Sequence, residues 1–400
     1  QSCFSKAIYI FMMMMINQKE GSKNNEEKND DVLSRARQLW LSSNADLKEV
    51  ERLYFTALEN DKANHQFSPE EKKLVAEKIA LLMCQSGRSE MAEKILSSFG
   101  FNCRLSRAVL DYQLDSNRSI SNGSLSGGTS KPPCLLLDNF LTNGELKALK
   151  DVFADQAANY WQSHNYQVEP ASPYVSYLIP FSEVTKEDRF GLIGHVASKI
   201  YRSILEEFPL LSKAKYVEMW AHNRPHASGH QMHFDSDNEG LGGIRNPIVS
   251  TILYLSDKDV GGPSLITNQK LIHRHLATKG WLCHPKEKRL VAFDGKVLHG
   301  VIPGKGAVVS DNRRVTIMFA FWKSIKERSG GGAAQPFPRD EDSVEWAASL
   351  RKSFVEDSCN NASITTAKPI EITPVYETLK DEPWLKDMGF PEYDAVFQGF

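Results

Sequence analysis

The chain carries no surplus of either charge. Its 400 residues include 48 lysines and arginines against 50 acids, a formal net charge of −2. Proteins that track nucleic-acid phosphates need a basic surplus, so general nucleic-acid binding is not expected. Cysteines at metal-binding or redox spacing are missing too. The six present (Cys3, Cys84, Cys103, Cys134, Cys283 and Cys359) are scattered, with no Cys-x-x-Cys among them. They read as reduced thiols in an intracellular protein. A membrane-spanning run is also missing. Residues 7–16 are apolar and include four successive methionines, but they fall short of the ~20 residues that cross a bilayer. Asn17-Gln-Lys-Glu20 follows instead of a small-residue cleavage pattern. The chain opens on Gln rather than Met, as a fragment or a processed product does. Residues 1–31 read as a disordered, targeting or artefactual tail.

What is present supports real cores, since 41% of the residues are hydrophobic. The length suggests two or three domains. Residues 32–113 show helical periodicity, with Leu47, Val50, Tyr54, Ala57 and Leu58 on one face. Ser68-Pro-Glu-Glu71 is a helix start, with proline in the first turn and a glutamate placed for a capping box. Gly87 ends that helix, and Met91, Ala92, Ile95, Leu96 and Phe99 mark the next. A small helical bundle is the preferred reading and a degenerate tetratricopeptide-like pair the second; a repeat array is not supported. Either form offers a surface for a protein partner or for dimerisation.

Residues 114–133 are rich in Ser, Gly and Pro and read as a flexible linker. The sequons at Asn117 and Asn122 carry no meaning in a cytosolic protein. Residues 134–325 form the next domain. Cys134–Phe140 opens it as a strand, Thr142-Asn-Gly-Glu145 caps a helix over 142–160, and a second helix fits 186–207. Residues 326–400 read as a C-terminal extension. It has a glycine loop at 329–332, a short helix over 344–354 and an acidic, aromatic tail that covers the domain or docks elsewhere.

The chemistry concentrates in three residues. His233 and Asp235 stand one residue apart, and His299 follows 64 positions later within Asp294-Gly-Lys-Val-Leu-His-Gly-Val-Ile-Pro303. On extended chain, residues i and i+2 project from the same face, so His233 and Asp235 can close on one metal. Two imidazoles and one carboxylate on one side of an ion make the facial triad of non-haem Fe(II) oxygenases. Strand-like runs surround these ligands: Ile248–Leu255, Arg289–Phe293, and Arg314–Trp322 with a cation at its start. The turn-rich segment 256–264 lies between the first two.

That order of strands and ligands resembles the double-stranded β-helix of the iron- and 2-oxoglutarate-dependent dioxygenases, most closely the prolyl-4-hydroxylase-like branch. The resemblance covers residues 134–325. It implies an α+β fold: a jelly-roll or cupin-like catalytic domain with supporting helices, preceded by the small all-α region. It also implies His233, Asp235 and His299 as iron ligands and Arg314 as the partner of the distal carboxylate of 2-oxoglutarate. Thr316 and Tyr254 would assist Arg314. A two-pronged planar donor suits that carboxylate better than lysine. O2 is the other cosubstrate, and ascorbate is a candidate reductant. Arg313 is the alternative to Arg314, because successive strand residues face opposite ways, and Tyr254 is equally readable as core. Trp220 occupies the place of a family tyrosine, and an indole can only donate one hydrogen bond. His222, His226 and His230 read as a polar loop over the entrance or, second, as another metal site. Asp237 and Glu239 read as solvated loop acids.

Three functions follow. The first is hydroxylation of an unactivated C–H bond on a protein or peptide side chain, prolyl by resemblance. The second is the same chemistry on a small metabolite, or an oxidative demethylation. The third is a catalytically silent binding module with the same fold.

Overall fold

The computed structural model describes residues 29–41, 46–64, 67–86, 88–99, 103–104, 132–167, 175–184, 187–237, 245–257, 260–270, 277–305, 313–328, 332–339, 342–352, 362–367, 369–372 and 396–397. Residues 1–28 of the expected tail, residues 114–131 of the linker with both sequons, Gly87 and Glu239 lie outside them; residues 29–31, expected in the tail, begin the first helix instead.

Four helices open the described chain: α1 (Asn29–Leu41), α2 (Leu47–Asn64), α3 (Pro69–Gln85) and α4 (Ser89–Ser98). Ser68 and Glu71 form the expected reciprocal cap at the start of α3, with Ser68 N–H donating to the carboxylate at 2.8 Å and Glu71 N–H to Ser68 Oγ at 3.2 Å. The helices pack in sequence and bury their own apolar cluster, which includes Trp40, Leu53, Ile79 and Leu96. Arg88, just before α4, reaches across to grip Glu51 of α2 with two hydrogen bonds, at 2.8 and 2.6 Å.

Two antiparallel sheets follow, built from β1 (Cys134–Asp138), β2 (Tyr177–Pro180), β3 (Tyr216–Arg224), β4 (His230–His233), β5 (Val249–Tyr254), β6 (Ser264–Lys270), β7 (Lys279–Cys283), β8 (Leu290–Asp294), β9 (Val297–Val301), β10 (Arg314–Trp322), β11 (Gln335–Pro336), β12 (Ser363–Thr365) and β13 (Pro369–Glu371). The larger runs β11-β2-β3-β10-β5-β8-β1-β12, with β11 parallel to β2, and the smaller runs β13-β7-β6-β9-β4. From β3 to β10 the chain crosses repeatedly between the sheets. Residues 335–371 add edge strands to both.

The two-residue alternation of a strand explains the layers. On β10, Val315, Ile317, Phe319 and Phe321 point away from the smaller sheet into one core, while Met318, Ala320 and Trp322 point between the sheets into another. β8 repeats this with Leu290 and Ala292 against Val291 and Phe293. Helices cover the outer face of the larger sheet: α5 (Asn143–Phe153), α6 (Asn159–Ser163), α7 (Glu187–Ile204) and α8 (Glu345–Lys352). Both faces of β10 are therefore buried, which is why it reads as a continuous apolar run.

Thr142 and Glu145 cap α5 reciprocally. The single helix expected over 142–160 instead stops at Phe153 and resumes at Asn159. Asp155 makes the turn between them, its carboxylate accepting from Ala157 N–H at 2.8 Å. Within α7, Gly191 has φ +49°, and a Cβ there would meet Arg351 Cα at 2.4 Å. The break lets α8 pack closely. No helix among the described residues is long and apolar enough to cross a membrane.

Candidate metal centre

His299 and His233 are cross-strand partners on β9 and β4, and their rings stand 4.3 Å apart. Asp235 lies just past the end of β4. Its Oδ1 is 3.5 Å from His233 Nε2 and 3.6 Å from His299 Nε2. One atom from each residue falls within a 4.8 Å cluster that could hold a metal ion. These are the three residues the sequence singled out, although 64 positions separate Asp235 from His299.

Neighbours set the donor atoms. His299 Nδ1 lies 3.0 Å from the Val297 carbonyl oxygen. A carbonyl only accepts, so Nδ1 carries the hydrogen and Nε2 presents its lone pair to the cluster. Asp235 Oδ2 accepts from Ser250 Oγ at 2.6 Å, and the Asp235 carbonyl accepts from Asn246 Nδ2 at 2.7 Å. Burial alone would raise the Asp235 carboxyl, but His299, His233 and Ser250 together hold it well below the usual carboxylate range. Burial pushes His299 down to about 4, against the pull of Asp235. That histidine is neutral at pH 7 and needs no deprotonation to take a metal.

The cluster opens into a narrow, partly open cavity between the two sheets. Trp220, Ile252, Phe293 and Met318 form apolar wall, and Arg314 and Thr316 form a polar one. Arg314 is 2% exposed. Its Nη2 donates to Ser264 Oγ at 3.0 Å, whereas its Nε is buried without a partner, as is Thr316 Oγ1. A carboxylate bound there would satisfy both. The residues present thus fit a carboxylate-bearing ligand beside a metal held by the three-residue cluster.

Arg313 faces the other way. Its Nε donates to Asn223 Oδ1 at 2.5 Å and its Nη2 to the Asn223 carbonyl at 2.8 Å. Tyr254 is fully buried beside Arg314, whose guanidinium carbon is 5.2 Å from the ring centroid. Its hydroxyl is 2.8 Å from Ser264 Oγ and 3.1 Å from the Cys283 carbonyl. Tyr254 therefore meets the cavity through Ser264 and Arg314 rather than lining it.

Two expectations need correction here. His222 and His230 do not lie in an entrance loop: they belong to β3 and β4 and line the cavity. Burial first, then neighbouring cationic groups, hold both imidazoles well below their ordinary range. His226 sits in the turn after β3, where its Nδ1 accepts from Gly261 N–H at 2.9 Å. Asp237 is not solvated. It is 1% exposed and gripped by Arg245 at 2.7 Å and by Arg328, which anchors the chain just beyond Asp235. Ser250 was missed, yet it shares its parity on β5 with Ile252 and Tyr254. A small hydroxyl residue on an inward face of larger side chains was a legible signal.

No protein-family model matches this chain, and no curated protein matches it. Among solved structures, a Pseudomonas putida prolyl-4-hydroxylase is similar at 15% identity, covering 49% of this chain and 88% of that one, with a TM-score of 0.29. HygX from Streptomyces hygroscopicus, solved with nickel, 2-oxoglutarate and hygromycin B, is similar at 10% identity, covering 52% and 94%, with a TM-score of 0.31. The non-heme monooxygenase ThoJ, as a nickel complex, is similar at 12% identity, covering 55% and 90%, with a TM-score of 0.33. These are distant likenesses.

Proposed function

We propose that this protein is an Fe(II)- and 2-oxoglutarate-dependent oxygenase that hydroxylates an unactivated C–H bond, on a double-stranded β-helix of the prolyl-4-hydroxylase-like kind. The alternation of strands between the two sheets supports that reading of the fold. The observation that carries the function is the conjunction, in one cavity, of the His233–Asp235–His299 cluster with two buried, unpartnered donors on Arg314 and Thr316. A metal site alone would not require those donors.

In this reading His233 Nε2, Asp235 Oδ1 and His299 Nε2 would hold the iron. Arg314 Nε and Thr316 Oγ1 would receive the far carboxylate of 2-oxoglutarate. Iron, O2 and 2-oxoglutarate when bound supply the oxidant, with succinate and CO2 as the other products. The chain's own part is placement and exclusion. Ser264, braced by Tyr254, holds the Arg314 guanidinium in register. Ser250 keeps Asp235 turned toward the histidines. Trp220, Ile252, Phe293 and Met318 keep water from the reacting centre, where fixed charges act most strongly. A protein or peptide side chain, prolyl by resemblance, is the preferred acceptor.

The test is to load the protein with Fe(II) anaerobically, add 2-oxoglutarate, and look for the weak visible charge-transfer band of the chelate. Oxygen is then admitted, with and without ascorbate, and succinate followed. A band and slow uncoupled succinate are expected. Bound iron without a band would overturn the cosubstrate assignment and favour a silent binding module.

A further inference from the structure

Strands β3 and β10 set two arginines against each other. Arg224 and Arg314 are direct cross-strand partners, which puts their Cβ atoms about 4.5–5.5 Å apart on one face of the sheet. Arg224 continues the every-second-residue series of Trp220 and His222, both of which line the cavity. Like charges directly opposite one another destabilise a sheet, and buried charge without a counter-charge costs more still. Their hydrogen-bond partners are neutral: Arg224 Nη1 donates to the Gly229 carbonyl at 2.7 Å, and Arg314 Nη2 to Ser264 Oγ. The Tyr166 hydroxyl also meets Arg224. Nε of each arginine is buried and unpartnered. Among the described residues, neither guanidinium has a carboxylate partner.

The charge of the filled site decides what Arg224 is for. This step rests on the function proposed above. A divalent metal and two guanidiniums are opposed by Asp235 and by the two carboxylates of 2-oxoglutarate. One positive charge is left. It belongs to Arg224, because Arg314 takes the far carboxylate. His222 and His230 cannot offset it in either protonation state. A monoanion matches the residue of charge; a phosphate, with close to two negative charges at neutral pH, would overshoot it.

We infer that Arg224 anchors a carboxylate on the acceptor substrate, so that the C–H bond to be oxidised lies near an acidic group. Arg224 would thereby determine which substrates this site takes. The pairing is charge-assisted and two-pronged, with Nε as one prong.

The experiment uses the full chain loaded with Zn(II), a diamagnetic stand-in, and saturated with 2-oxoglutarate. Acetate and its uncharged isostere acetamide are the probes, read by ligand-observed saturation-transfer NMR. 2-Oxoglutarate binding is measured in parallel by calorimetry. The expected result has four parts: transfer to acetate but not acetamide, loss of it in Arg224→Gln, retention in Arg224→Lys, and unchanged 2-oxoglutarate affinity in both variants. Circular dichroism melting shows that each variant is folded. Acetate transfer that persists in Arg224→Gln would put the anion on the metal or elsewhere and overturn the inference. No transfer in the wild type would overturn it as well. Loss of 2-oxoglutarate binding in folded Arg224→Gln would make Arg224 part of the cosubstrate clamp, again overturning it. If the wild type fails to bind 2-oxoglutarate at all, the proposed function fails first, and that outcome is distinct from the other three.

Discussion

Ser250 Oγ donates to Asp235 Oδ2 at 2.6 Å, which leaves Oδ1 as the oxygen facing His233 and His299. In the proposed metal site the hydroxyl would orient a ligand without itself reaching the ion. Removing such a support weakens metal affinity by roughly 10–100-fold. Ser250→Ala is therefore expected to bind Fe(II) in that weakened range, read by competition with a chelator. Wild-type affinity would show that Asp235 is oriented by its backbone alone.

The ligands themselves should behave differently. His233→Ala and Asp235→Ala are expected to lose bound iron and 2-oxoglutarate turnover together. Metal content and succinate release check this. Near-normal decarboxylation in either variant would sink the ligand assignment.

Arg314 and Arg313 separate by strand parity. Arg314→Ala should raise the KM for 2-oxoglutarate about a hundredfold, for a lost charge-assisted pair of order 2–4 kcal/mol. Arg313→Ala should leave it near normal, because that guanidinium is bound to Asn223. The reverse pattern would mean that the register of β10 is off by one.

Gly261 reaches the same function from outside the site. It has φ +81°, and a Cβ there would meet Arg314 Cδ at 2.4 Å. Gly261→Ala is expected to mimic Arg314→Ala in KM while keeping full metal occupancy. Loss of iron along with the cosubstrate would indicate wider collapse instead.

The acid limb of stability should depend on Glu145. Burial raises its carboxyl, but His195, Lys199 and the Thr142 N–H outweigh that and hold it at about 2. With an ordinary value of 4.5, the unfolded chain takes up the proton first as pH falls. The stabilisation is therefore complete above about pH 4.5 and disappears as pH drops toward 2, worth on the order of 3 kcal/mol. Wild type should melt above Glu145→Gln at neutral pH, and the gap should close across that window. A gap that stays constant with pH would mean that the carboxylate's charge contributes nothing.

Local chemistry made much of this protein readable in one dimension. His-x-Asp on extended chain, the β-branched strands, the capping residues at Ser68 and Thr142, and a cation opening an apolar strand all work through spacings of two to four residues. Such spacings survive in any fold that keeps the local element. Alternation says that Arg313 and Arg314 face opposite ways, and only the structure shows which of them lines the cavity. The break after Phe153 was hidden because the segment 142–160 carries no proline to announce it.

What the sequence by itself determined was the kind of site: two imidazoles, one carboxylate and an arginine, on strands. What only the tertiary structure decided was where charges meet. Asp237 became a buried anchor because Arg245 folds back on it from 8 residues away and Arg328 arrives from 91 residues away. His222 and His230 became cavity wall, and Arg224 came to stand against Arg314, because strands far apart in the chain pair across a sheet. Burial and Coulomb interaction depend on distance in space. Sequence separation does not encode that distance once the chain has folded back on itself.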